Sequence, residues 1–269
     1  MASELATISS DALAKRFAAL KAANRTALVA YLTAGHPDPG ASIETIAAVA
    51  EAGADVIEVG VPFSDPMADG PVIQASSQAA LAAGMTLDRT LELALRAKPN
   101  VPLVLFSYLN PLMAAGPNVL ARAADAGFSG ILVTDLPVGA DPAREEELGG
   151  GPLAFVRLVA PTTPAARMAE IVKHGRGFVY LISRLGVTGM QDKLPSDLPD
   201  TMARLRGVCN LPIAVGFGIS RPEQAAAVGR LADGVVVGSA LVQASAAGGA
   251  KAAAALTRTL RAALDADAA

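Results

Sequence analysis

The sequence has no tryptophan, one cysteine (Cys209), two histidines (His36 and His174) and only 4% aromatic residues. Each scarcity removes a class of chemistry. A single cysteine excludes an internal disulfide framework and fits a reducing compartment, so a cytoplasmic location is expected. Two separated histidines and one cysteine make no persuasive zinc site. No Ser-His-Asp set stands out, and no strand-end lysine suits Schiff-base chemistry. Charge is scarce too: 17% of residues are charged, the net charge is -3, and no basic stripe or tail is present. Nucleic acid is therefore an unexpected partner. No run of about 18 apolar residues is available to span a membrane. The first residues, MASELATISSDALAKRF, lack the apolar core of a signal peptide.

What the chain does have is apolar residues, 52% of its 269. That is enough for a deep core, and with no linker in sight residues 1–269 read as one domain. Ser9 or Ser10 can cap a first helix that puts Leu13, Phe17 and Leu20 on one face. Eight β-branched runs follow, at 26–33, 55–61, 102–108, 130–135, 153–160, 177–183, 211–217 and 233–239. Helical patterns separate them, near 42–52, 87–97, 117–126, 142–148, 164–174, 197–206, 221–230 and 249–264, with an extra helical piece at 72–84. Alternation of this kind implies parallel strands with crossover helices. Eight units in about 250 residues predict a (β/α)8 TIM barrel with an extra N-terminal helix and an additional helix after the second strand. An open doubly wound sheet is the competitor, but YLTAGHPDPG after the first strand is not its GxGxxG fingerprint.

The most informative stretch is EVGVPFSDPMADGP (58–71). Strand alternation turns Val56, Glu58 and Gly60 to one side and Ile57, Val59 and Val61 to the other. A carboxyl inside a covered strand is costly unless it is paired, protonated or used. In a barrel the site lies at the C-terminal ends of the strands. This places Glu58, Asp65, Asp69, Tyr108, Asn110, Asp135 and Arg184 at the mouth. Asp65 reads as a turn residue, and Asp135 divides evenly between site and turn. His36 faces the mouth but sits in a turn between Gly35 and Pro37. His174 ends a helix, where a cation is comfortable. Cys209 lies on the far face. The loops GVTG (186–189), GFGIS (216–220) and GSAL (238–241) suit a phosphate, because glycines admit backbone amides to an anion and helix N-termini favour it. Ser220 and Glu223 match a capping box. The residues alone thus predict a phosphate-anchored substrate worked on by carboxyls.

With YLNP (108–111), LVTDLP (132–137), APTTP (160–164), SRLGVTG (183–189), VGFGIS (215–220) and DGVVVGSALV (233–242) in the same order, the chain resembles the tryptophan synthase alpha subunit family over nearly its whole length. The resemblance implies retro-aldol cleavage of indole-3-glycerol phosphate to indole and glyceraldehyde 3-phosphate. Glu58 would be the acid/base, and Asp69 would bind the indole N–H. Tyr31, Phe106, Leu132 and Tyr180 would wall the ring, and Gly189, Gly218, Gly238 and Ser239 would hold the phosphate. Thr188 would meet Asp69 as two loops close. The resemblance also implies a β subunit in an α2β2 complex that carries pyridoxal phosphate, with no cofactor on this chain. In NPLMAAG, which resembles the α–β contact loop, Ala115 stands where an aromatic residue is common. Three other roles compete: a sugar-phosphate isomerase, a lyase acting alone, and a partner that only activates a β subunit. The Glu58–Asp69 spacing opposes the first, and the presence of both acids opposes the last.

Overall fold

The computed structural model describes residues 2–182, 196–216 and 218–266, with side chains from residue 11 onward. Among these residues, eight strands close into one parallel barrel in sequence order. They are β1 (Ala27–Thr33), β2 (Val56–Gly60), β3 (Leu103–Ser107), β4 (Phe128–Val133), β5 (Ala154–Val159), β6 (Val179–Ile182), β7 (Ile213–Gly216) and β8 (Gly234–Val237). The ring shuts where β1 pairs with β8, Ala27 opposite Gly234. The TIM-barrel expectation holds, and the strand boundaries agree with the sequence to within a few residues.

The helices are α1 (Ala2–Ala22), α2 (Pro39–Glu51), α3 (Pro71–Ala82), α4 (Leu87–Ala97), α5 (Leu109–Ala114), α6 (Val119–Asp125), α7 (Pro142–Gly150), α8 (Ala165–Lys173), α9 (Leu198–Arg206), α10 (Pro222–Gly229) and α11 (Ser239–Ala266). Local chemistry starts several of them. Asp38, Thr86 and Asp141 accept hydrogen bonds from Ala41, Arg89 and Arg144 backbone amides at 2.9, 3.2 and 3.1 Å. Proline in the first turn pre-sets α2, α7 and α10. Both expected additions are present, α1 before the barrel and α3 after β2.

Four details differ from the sequence reading. The first helix starts at Ala2 rather than at a Ser9 or Ser10 cap; alanine, leucine and glutamate upstream let it extend. The last helix begins at Ser239 instead of near 249 and breaks at Gly248 and Gly249. At the start of α10 the reciprocal contact is made by Gln224, not Glu223: its Oε1 accepts from the Ser220 and Arg221 amides at 3.0 and 3.1 Å. Helix α5 was not expected. Its first amide, Leu109, donates to Asp135 Oδ1 at 2.7 Å, a partner 26 residues away that local pattern cannot reveal.

Alternation sorts the side chains. Ile57, Val59, Ile131, Phe155, Val215 and Val235 face the helices, while Val29, Val56, Val104, Leu132, Val156 and Val236 fill the barrel. At the N-terminal ends of the strands the inward residues are small: Ala27, Gly130, Ala154, Ala214 and Gly234. Helix α1 fills the space they leave. A Cβ on Gly130 would lie 2.6 Å from Leu13 Cδ1, and the Phe17 ring meets Phe178 at 5.3 Å. Buried Asp55 ties this end together. Its Oδ1 accepts from Arg16 at 2.8 Å, and its Oδ2 accepts from Arg261 at 2.9 Å and the Leu28 amide at 2.8 Å. Such pairing is what a buried charge requires. Among the described residues no helix is long and apolar enough to cross a membrane.

Phe17, only 3% exposed, should therefore act as a plug. Phe17→Ala is expected to cost about 3–4 kcal/mol of unfolding free energy, measured by urea denaturation. A loss under about 1 kcal/mol, typical of a surface change, would show that α1 only rests against the barrel.

Candidate active site

Glu58 is the central residue of β2 and points into the barrel between its strand neighbours Tyr31 and Val104. It is fully buried, and neither carboxyl oxygen has a hydrogen-bond partner among the described residues. Burial pushes its pKa from an ordinary 4.5 up to about 8. No arginine or lysine pairs with it among the described residues. At neutral pH it carries a proton.

The walls come from the same layer. A Cβ on Gly60 would fall on the Tyr31 hydroxyl, and one on Gly216 would fall on that of Tyr180. These two glycines make room for two phenols over the mouth. The Tyr31 ring meets Phe106 edge-on at 5.1 Å, and Ile73 and Val242 complete that cluster. Leu132 lies beside Phe106 in the next strand. The phenol pKa values of Tyr31 and Tyr180 are raised first by burial, and then by the nearby charges of both Glu58 and Asp69. The two acids and the apolar wall therefore share one space.

Asp69 sits just before α3 and is 7% exposed. Its backbone is fixed by Pro66, whose carbonyl accepts from its amide at 3.0 Å, and by Gln74, which donates to its carbonyl at 2.8 Å. Its Oδ2 accepts from the Tyr108 hydroxyl at 3.0 Å. Burial raises its pKa to about 6, partly offset by that hydrogen bond. Tyr108 is the site residue that the sequence reading left unassigned. YLNP placed it at the mouth, but only the folded loop shows where its hydroxyl goes.

The remaining candidates separate cleanly. Asp65 forms a turn, its carbonyl accepting from the Met67 amide at 2.8 Å. Asp135 is exposed and anchors α5. His36 is half-buried with its pKa lowered by burial, so it stays neutral. His174 closes α8 and pairs with Glu170 at 3.0 Å. The buried Cys209 thiol donates to the Leu211 carbonyl at 3.6 Å, and burial raises its pKa. Among the described residues no cluster of three or more His, Cys, Asp or Glu side chains could hold a metal ion. Gly218, in the left-handed region at φ +61°, follows β7, while Gly238 and Ser239 follow β8 and open α11. These three fall in adjacent loops at the mouth. Thr188, Gly189 and Arg184 lie outside the described residues.

A closed parallel (β/α)8 barrel with two buried acids among apolar side chains at the C-terminal ends of its strands has the layout of a TIM-barrel enzyme. A family model described as tryptophan synthase alpha chain matches residues 17–267. The tryptophan synthase alpha chain of Laribacter hongkongensis is 49% identical over 242 residues, covering 88% of this chain and 92% of that one. Its counterpart in Gluconacetobacter diazotrophicus is 48% identical, covering 86% and 85%. Among solved structures, tryptophan synthase of Mycobacterium tuberculosis superposes with a TM-score of 0.86 at 38% identity, covering 94% of this chain and 97% of that one. The alpha subunit of Legionella pneumophila str. Paris gives 0.85 at 34%, covering 94% and 98%. The chain belongs to the tryptophan synthase alpha chain family, lyases of tryptophan biosynthesis that cleave indole-3-glycerol phosphate.

A carboxyl whose folded pKa exceeds its unfolded value favours the native state fully below the unfolded value. That advantage is lost as pH rises through the folded one. Glu58 should therefore destabilise the fold increasingly between pH 4.5 and about 8. Glu58→Gln removes the titration. Its stability relative to the parent should rise by about 2–4 kcal/mol from pH 5 to pH 8.5, read from urea denaturation at both values. A pH-independent difference would mean that Glu58 is solvated.

Proposed function

We propose that Glu58 and Asp69 carry out the cleavage of indole-3-glycerol phosphate in this pocket, releasing indole and glyceraldehyde 3-phosphate. The observation that carries the reading is the buried Glu58 carboxyl, without a hydrogen-bond partner among the described residues and with its pKa near 8. A group held as the acid at neutral pH can protonate C3 of the indole ring. The resulting cation needs a neighbouring charge. Asp69, with a pKa near 6, is mostly ionised and accepts the indole N–H. Glu58, now a carboxylate, takes the proton of the glycerol hydroxyl next to the ring. The C–C bond then breaks, its electron pair restores the indole, and the hydroxyl carbon becomes the aldehyde. Two acids with pKa values set apart by their surroundings thus divide the work.

Tyr31, Phe106, Leu132 and Tyr180 flank the ring, and Gly218, Gly238 and Ser239 receive the phosphate, joined by Gly189. Thr188 meets Asp69 when the loops close and exclude water. No cofactor is needed on this chain. The partner is a β subunit bearing pyridoxal phosphate, which receives the indole in an α2β2 complex. Two exposed apolar side chains suit such a contact. Met67 (84% exposed) lies in the loop after β2 and Met113 (53%) lies in α5 after β3, both at the site end of the barrel.

Indole release from indole-3-glycerol phosphate, assayed with and without a β subunit, tests the reading. Release should be slow alone and much faster with the partner. Glu58→Gln should lose roughly 10²–10⁴-fold in kcat while still binding a phosphate-bearing analogue. Cleavage at the parental rate would remove Glu58 from the mechanism. Asp69→Asn should also slow turnover, and an unchanged rate would reduce Asp69 to a turn residue.

A further inference from the structure

The mechanism needs the Asp69 carboxylate beside the ring nitrogen, yet Asp69 belongs to a loop. Tyr108 joins that loop to the barrel. It stands immediately after β3 and is 4% exposed. Its hydroxyl donates to Asp69 Oδ2 and accepts from the Ala68 amide, both at 3.0 Å. Its ring lies against Phe63, with centroids 5.0 Å apart and planes tilted by 34°. One side chain therefore grips the loop at its start, at Phe63, and at its catalytic end, at Ala68 and Asp69. Its backbone is fixed as well, since Ser107 Oγ donates to its carbonyl at 2.9 Å.

We propose that Tyr108 is a positioning residue for the cleavage reaction, its hydroxyl holding the Asp69 carboxylate aimed into the pocket before substrate arrives. The proposal deepens the reading above and rests on it. Among the described residues this is the only side-chain hydrogen bond that the Asp69 carboxyl receives. The titratable groups near enough to feel the Asp69 charge are Tyr31 from β1, Tyr180 from β6 and Tyr108 itself, and the first two also feel Glu58 of β2. None of these is a cation, so no positive charge in the set holds the Asp69 carboxyl ionised once the Tyr108 bond is lost. A hydrogen bond to the ionised carboxyl favours that form. Its loss lets burial push the Asp69 pKa higher.

Tyr108→Phe keeps the ring against Phe63 and removes only the hydroxyl. The acid limb of kcat/KM against pH, measured for indole release by the complex with its β subunit, should move up by roughly one pH unit. The deficit should be about fivefold at pH 6, approach tenfold below pH 5, and nearly vanish by pH 7.5. In the ligand-free protein, the carbon-13 titration midpoint of the Asp69 carboxyl should rise in parallel. An unshifted acid limb or an unshifted midpoint overturns the proposal, whatever happens to Tm. Absence of indole release from the parent protein would instead sink the functional reading, and the carboxyl titration would still decide the role of Tyr108.

Discussion

Closure of the eight strands is the constraint on which the rest of this structure depends. In a shut parallel barrel every second side chain of every strand points into a space that water cannot fill. The sequence meets this differently at the two ends. At the N-terminal ends of the strands the inward residues are too small to pack alone, and Leu13 and Phe17 of α1 complete the layer. Near the other end the same register places a carboxyl, Glu58, among Val104, Tyr31 and Phe106. Its raised pKa needs no special partner. It follows from putting an acid at an inward position of a closed sheet.

Asp69 reaches the same pocket by another route and consequently titrates elsewhere. Its backbone is held by Pro66 and Gln74 and its carboxyl by Tyr108, so burial is opposed by a hydrogen bond to the charged form. Glu58 is fixed on a strand and has no hydrogen-bond partner among the described residues, whereas Asp69 is carried on a loop and given one. The two glycines beneath Tyr31 and Tyr180 serve both, because they let bulky phenols cover the mouth without displacing the strands.

Periodicity and spacing made most of this legible. The strands were readable because inward and outward sets were both apolar, and Glu58 because it interrupted one of those sets. The Leu13–Phe17–Leu20 face was visible as a helical stripe, although its role as a plug depended on distant Gly130 and Gly234 being small. What stayed hidden was nonlocal. Helix α5 relies on Asp135, Asp69 relies on Tyr108, and the start of α10 relies on Gln224 rather than on the equally plausible Glu223 one residue earlier. In each case the residue type was noted or notable, but the direction of its side chain is decided only when separate segments meet.

Asp55 carries a consequence for synthesis. Its two oxygens are satisfied by Arg16 from the first helix, Arg261 from the last, and the Leu28 amide of the first strand. A chain growing on the ribosome acquires the first and third of these partners within its opening quarter, but the second arrives almost at the end. Until then Asp55 has one cation, Arg16, which is itself partly exposed, and Oδ2 has only the Leu28 amide. The same late segment follows β8, the strand that closes the ring on β1. Ring closure and the arrival of the second, buried cation on Asp55 thus fall due together, which favours completion of the barrel as a final, concerted event.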